Sequence, residues 1–380
     1  MSWREVQLGD VIRLKRGHDL PASARVPGEI PIVSSSGITG FHNVAKVAGP
    51  GVVTGRYGTL GEVHYIEGDY WPLNTALYVE DFKRNQPRYV AYLLMTLELG
   101  SQNAAGAVPG VNRNTLHQMT VRVPDEETQH RIVEVLSAYD ELIATNQRRI
   151  ALLEDAARRL YREWFVHLRF PGHESVPVKD GVPEGWSKRP MTSVADFVNG
   201  FAFKPEHLGE AGLAVVKIPE LRSGITSKTP YNPGHIVPQR NHITTGDVLF
   251  SWSATLLVNE WGEGPALLNQ HLFKVMPHNE LHKRLVRFAV EAAIPELTGH
   301  AVGATMQHIR RSALDNHLML VPDETTAVAF AAQADPMMDA ILNLTAQNKE
   351  LTKARDLLLP KLMSGQIDVS GIHLPEEVTA

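Results

Sequence analysis

The chain has 380 residues, 43% hydrophobic and 21% charged, with a net charge of −5; this describes a globular protein long enough for two or three domains and excludes a disordered one. It contains no cysteine, which excludes disulfides and thiolate metal sites and makes a reducing cytoplasm the expected location. No apolar run approaches the ~20 residues a membrane span needs, and the N-terminal MSWREVQLGD has no apolar signal core.

In chain order, WREVQLGDVIRLKRG (3–17) opens a first region with short β-rich pieces at GVVTGRY (51–57), GEVHYI (61–66) and NTALYV (74–79), bounded by Gly and Pro. A helix is predicted over PRYVAYLLMTLELG (87–100). RNTLHQMTVRVP (113–124) then runs into VPDEET (123–128). There Val-Pro ends a strand, Asp125 is placed to cap a helix, and the following acids suit a first turn. The helix that follows carries a heptad seam of Ile132, Leu136, Tyr139, Ile143, Asn146, Ile150, Leu153, Ala157 and Leu160.

The Pro- and Gly-rich FPGHESVPVKDGVPEGW (170–186) reads as a linker, after which the order repeats. WSKRPMTSVADFVNG (186–200), a strand at GDVLFSW (246–252), a helix at LHKRLVRFAVEAAIPELTG (281–299) and RSALDNHLMLVP (311–322) lead to a second hinge, VPDETT (321–326). Asp323 is its capping residue. The second seam is Phe330, Ala334, Met337, Ile341, Leu344, Asn348, Leu351, Arg355 and Leu358, each 198 residues after its counterpart. Pro336 predicts a late start or a kink in this helix. Asn146 and Asn348 sit on seam positions, where a polar side chain sets register at a cost in stability.

The two halves align at separations of 183 (Trp3 on Trp186), 195 (Leu73-Asn74 on Leu268-Asn269) and 198 (Arg113 on Arg311), which indicates a tandem duplication with loop insertions. Order and composition favour an α+β fold: two duplicated, β-rich globular regions and two long helices pairing as an antiparallel coiled coil. The expected division is 1–124, helix 125–170, linker 171–185, 186–322, helix 323–366 and tail 367–380. Charge follows it: residues 1–122 carry 12 basic and 10 acidic side chains, residues 175–322 carry 14 and 13, and the acidic excess lies in the helical segments.

Phosphate-binding, metalloprotease, serine-hydrolase and dinucleotide motifs are absent, as is the Asn/Asp-Pro-Pro-aromatic tetrapeptide of amino-methyltransferases, so no catalytic residue and no metal ligand is assigned. Polar, aromatic and basic side chains instead gather at predicted turns, and these types read base edges and hold phosphates. The binding-face candidates of the first copy are Lys15, Arg16, His18, Ser35, Ser36, Arg56, Tyr57, Asn74, Asn112, Arg113 and Asn114, and residue type alone does not identify their ligand. Those of the second are Lys217, Arg222, Ser251, Trp252, Ser253, Asn269, Gln270, His271, Gln307, His308, Arg310 and Arg311.

VPDEETQHRIVEVLSAYDELI (123–143), LEDAARRLYREWFVHLRFPG (153–172) and RDLLLPKLMSGQIDVS (355–370) resemble the central and distal regions of the specificity subunits of type I restriction–modification systems. GRYGTLGEVHYIEGDYWPLNTALYV (55–79) and the segment from GDVLFSW to LLNQHLF (246–273) resemble the core of that family's target recognition domains. The resemblance implies a non-catalytic subunit that reads a split, asymmetric site on double-stranded DNA, one half per domain. It also implies two modification subunits that methylate adenine with S-adenosylmethionine, and restriction subunits that use ATP and Mg; no cofactor is expected on this chain. At 1.5 Å per residue, the 40 residues 126–165 would span roughly 60 Å as a helix, more than one turn of DNA. A coiled-coil scaffold whose globular regions bind protein is the alternative.

Overall fold

The computed structural model describes residues 2–97, 99, 110–299, 309 and 311–371. Two compact units divide the chain, Met1–Ile143 with Leu351–Ala380 and Ala144–Glu350, so each contains one globular lobe and parts of both long helices.

In the first unit, β1 (Trp3–Gln7) pairs antiparallel with β9 (Thr120–Pro124). A short helix α1 (Leu8–Val11) leads into β2 (Arg13–Arg16), β3 (Ile30–Ser34), β4 (Gly37–His42), β5 (Gly51–Gly55), β6 (Val63–Ile66), β7 (Trp71–Pro72) and β8 (Ala76–Asp81). These form an antiparallel sheet in the order β2-β8-β5-β6 and a second sheet, β4-β3-β7, in which β3 and β7 are parallel. Helix α2 (Pro87–Thr96) begins with proline at its first position, where no amide partner is lost. It buries Tyr89, Val90, Leu93 and Leu94. Helix α3 (Arg113–His117) precedes β9, and α4 (Glu126–Tyr161) follows it. The core joins Leu8, Leu14, Leu77, Tyr89 and Leu116 to Ile132 and Leu136 of α4, and to Leu362 and Met363 near the chain's far end.

The second unit begins within α4, which ends in a single π turn, Arg162–Val166. The Pro- and Gly-rich stretch carries a ribbon of β10 (Val178–Lys179) and β11 (Val182–Pro183). The lobe then continues through β12 (Ser187–Pro190), β13 (Ala195–Asn199), β14 (Leu213–Val216), α5 (Ile218–Ser223), β15 (Tyr231–Asn232), β16 (His242–Ile243), β17 (Val248–Ser251), β18 (Leu257–Glu260), β19 (Ala266–Leu268) and β20 (Leu272–Pro277). Helices α6 (Lys283–Gly299) and α7 (Arg311–Asn316), strand β21 (Leu318–Val321) and α8 (Glu324–Met363) complete it. The β13-β20-β17-β18 sheet, the parallel β14–β19 pair and the β12–β21 pair repeat the first lobe's topology.

Both hinges act as caps. The Asp125 carboxylate accepts the Thr128 amide at 2.9 Å, and the Asp323 carboxylate accepts the Thr326 amide at 2.9 Å. The helices run antiparallel, because partner numbers fall on α8 as they rise on α4. In the first unit Asp140 meets Arg355 at 2.8 Å. In the second, Asn146 donates to Asn348 at 3.0 Å and the Phe165 and Phe330 rings lie 5.0 Å apart, edge to face. The expected late start or kink at Pro336 is not found: α8 is continuous from Glu324 to Met363. Pro336 and Ala332, whose carbonyl the proline leaves without its helical donor, are both exposed, so water can satisfy that carbonyl. Buried Phe330, Ala334 and Met338 pin the opposite face. Among the described residues no helix is long and apolar enough to cross a membrane.

Equivalent pairings correct the sequence alignment of the halves. Val53 pairs with Tyr78 as Leu249 pairs with Lys274, and Val33 with Pro72 as Val216 with Leu268. The separation for β5, β7 and β8 is therefore 196, and only β6 keeps 195. Leu73 corresponds to Asn269 and Asn74 to Gln270; the shared Leu-Asn dipeptide had drawn the alignment off by one, which would have turned every side chain to the wrong face.

Candidate nucleic-acid interface

In the first lobe, backbone hydrogen bonds tie four separate loops into one platform beyond the sheet ends. Gly17 donates to Ala76, His18 to Pro72, and Leu73 to Val33. Arg56 and Tyr57 both donate to the Thr75 carbonyl, and Val111 donates to Arg56. A Cβ on Gly17 would stand 2.1 Å from the Leu73 carbonyl oxygen, so only glycine lets these two loops cross. The mesh brings together Arg16, His18, Ser35, Ser36, Arg56, Tyr57, Asn74 and Asn112.

Their side chains divide by role. The Arg56 guanidinium lies 4.5 Å from the centroid of the Tyr57 ring, and Tyr57 is 40% exposed, which presents a stacked cation and aromatic face to solvent. Arg16 pairs with Asp19, whose carboxylate also accepts from Asn74. Lys15 bonds Glu80 at 2.6 Å, and that bond holds its pKa above the usual lysine value. Burial, helped by Lys46 and Lys15, holds His18 below the usual histidine value, so at neutral pH it presents an uncharged imidazole. Ser36 bonds Ser34, and the Asn112 side chain caps α3 through the Asn114 amide. Arg113 lies in the first turn of α3.

The second lobe repeats five of these six backbone bonds. Gly200 donates to Leu272, Phe201 to Leu268, Asn269 to Val216, Trp252 to His271, and Ile309 to Trp252. A Cβ on Gly200 would again stand 2.1 Å from a carbonyl oxygen, that of Asn269. The side chains differ. Ser251, Ser253 and Asn269 are buried and spend their hydrogen bonds within the platform, on the Ser253 carbonyl, on His271 and on Gln270. The Trp252 indole donates to the Gln270 carbonyl at 3.1 Å. Lys217 occupies the position before α5, where its backbone amide donates to the Glu220 carboxylate at 3.1 Å. Arg222 lies elsewhere, lining a cavity of about 280 Å³ with Glu220, Glu263 and Ile150. Arg311 opens α7. Gln307, His308 and Arg310 lie outside the described residues.

The register also exposes positions that sequence reasoning passed over. Asn199 and Phe201 occupy the places of Arg16 and His18 at the separation of 183, a relation already present in the alignment of the two opening segments. Lys46, 5.8 Å from the Trp71 ring centroid, adds a cation to the first lobe. Buried Asn85 bridges the Val11 carbonyl and the Gln129 side chain, fastening this lobe to the first turns of α4; no local sequence signal marked it.

Two platforms of one design but different chemistry, each on an α/β lobe that passes into a long helix, define a duplicated recognition protein. Residues 1–155 match the family model described as the type I restriction modification DNA specificity domain. Over 314 residues the chain is 23% identical to the type I restriction enzyme MjaIX specificity subunit of Methanocaldococcus jannaschii, covering 74% of this chain and 69% of that one. It is 18% identical to the HindI specificity subunit of Haemophilus influenzae, over 74% of this chain and 77% of that one. The fold matches the S subunit of a type I restriction–modification system from M. genitalium with a TM-score of 0.61 at 12% identity, covering 95% and 96% of the two chains. The similarity to specificity subunits of type I restriction–modification systems thus extends over about three quarters of the chain.

Proposed function

We propose that the chain is the DNA sequence-recognition subunit of a type I restriction–modification complex, each platform reading one half of a bipartite, asymmetric target. The observation that carries this reading is the duplicated platform, held by five shared backbone bonds but dressed as Arg56-Tyr57-Asn74 in one lobe and Trp252-Ser253-Gln270 in the other. Identical scaffolds with unlike side chains suit a split site whose halves differ in sequence. The match to a DNA specificity domain favours this over a protein-binding scaffold.

In this reading the chain performs no chemistry itself. Two modification subunits dock along the helices and methylate adenine with S-adenosylmethionine, and restriction subunits join through the assembled complex and cleave with ATP and Mg. With only 12 basic against 10 acidic side chains in residues 1–122, the subunit supplies little phosphate neutralisation. The modification subunits therefore complete the grip on DNA. Exchanging residues 1–122 for those of a relative tests the assignment: one half-site should change and the other stay. A change in both halves would overturn it.

A further inference from the structure

Superposing the halves by register places Arg88 of α2 on Arg284 of α6 at the separation of 196, with the buried run of Tyr89, Val90, Tyr92, Leu93 and Leu94 falling on Leu285, Val286, Phe288, Ala289 and Val290. The long helices correspond at 198, which places Glu141 on Asp339. The two pairs interact in the same way. Arg88 meets Glu141 at 3.3 Å and Asp140 at 4.0 Å, and Arg284 meets Asp339 at 2.6 Å and Asp335 at 3.5 Å. One arginine in the first turn of each lobe's helix thus reaches the long helix that follows that lobe in the chain.

The two contacts are unequal. Arg284 is 11% exposed and also grips Glu260 of its own lobe through two bonds of 3.2 and 3.3 Å, and the Glu260 side chain is 1% exposed. At the matching place in the first lobe stands Tyr65, whose ring centroid is 5.4 Å from the Arg88 guanidinium. Arg284 is therefore fixed within its lobe before it touches α8, whereas Arg88 is held more loosely.

We infer that Arg88 and Arg284 are equivalent positioning residues that set the angle of each recognition lobe on its long helix, and through it the length of the unread spacer. This rests on the proposed role in DNA recognition. Because Asp335 is partly and Asp339 largely exposed, their pairing with Arg284 contributes little to overall stability, yet it ties the lobe to the helix at a defined point.

The test cuts the helix side of the Arg284 contact and the shorter of the two Arg88 contacts, and leaves both arginines and the buried Glu260 bond intact. In cells carrying the full system, methylomes are compared for the wild type, Glu141→Gln, Asp335→Asn with Asp339→Asn, and Asp339→Glu. The double variant should keep both half-sites but raise methylation at targets whose spacer is one base pair longer or shorter by roughly tenfold, equivalent to about 1.4 kcal/mol. Glu141→Gln should give a smaller rise, and Asp339→Glu should behave as wild type. Thermal unfolding of the purified variants should shift little. A single spacer length in both charge variants overturns the inference, as does loss of all methylation together with early unfolding of the second unit, which would make the contact purely structural. A wild-type methylome without any bipartite motif would instead remove the functional reading on which the inference rests.

Discussion

Asn146→Leu offers the sharpest physical test of the helix pairing. Asn146 is 2% exposed and donates to the Asn348 carbonyl oxygen at 3.0 Å inside the seam of the second unit. Replacing it alone puts leucine against the half-buried Asn348 carboxamide, and the loss of this hydrogen bond costs about 0.5–1.5 kcal/mol. The unit spans residues 144–350, a size at which each kcal/mol moves Tm by about 2–4 °C. Replacing both residues by leucine removes the mismatch and adds apolar burial, so the double variant should match or exceed the wild type in stability. The two single losses should thus fail to add, with a coupling of about 0.5–1.5 kcal/mol in a double-mutant cycle read by urea unfolding. What the double variant should lose is register, seen as mixed helix pairings in cross-linking between residues placed along the seam. Additive single and double effects would refute the assignment of this pair as a seam lock.

Four further outcomes follow from particular contacts. The Phe330 ring packs among Tyr161, Trp164, Phe165 and Phe288, so Phe330→Ala should cost about 3–5 kcal/mol in the second unit, measurable by chemical unfolding. Tyr57→Ala should weaken DNA binding by about 1–3 kcal/mol by removing an exposed aromatic contact to base edges, and should relax only the half-site of the first lobe in a binding-site selection. Asp323→Ala removes the helix cap and the acceptor of the Trp186 indole, and should cost about 1 kcal/mol or more by thermal unfolding. His117 accepts the Leu14 amide through Nε2, and burial, with Arg113 and Lys83, lowers its pKa. Because the folded state favours neutral imidazole, this stability is present above the ordinary histidine pKa of about 6.5 and is lost as pH falls through the lower folded value. A His117→Gln variant, whose amide can still accept, should unfold with a flatter pH profile below neutrality.

Much of this architecture is readable in the sequence because its signals are local or periodic. The hinges state their own chemistry: Val-Pro stops a strand and Asp caps a helix, as Asp125 and Asp323 do. The seam positions from Ile132 to Leu160 are buried or half-buried, as a heptad requires. What the sequence conceals depends on pairing at a distance. The one-residue slip at Leu73 and Asn74 arose because two matching letters outweighed a register that only the β3–β7 and β14–β19 pairs fix. Pro336 misled because a proline's effect depends on which face of the helix it occupies. At the candidate site, residue type drew attention to segments that backbone bonds join into one platform, yet it could not separate Tyr57, which faces solvent, from Ser251, which is fully buried. Side-chain burial in a loop is decided by the neighbouring loops.

The central claim, that this chain chooses the DNA sequence its complex acts on, is tested most directly by sequencing adenine methylation in cells with and without its gene while the partner subunits remain. The account predicts one bipartite motif that disappears when the chain is removed and returns when it is restored. The same motif persisting without the chain would contradict it.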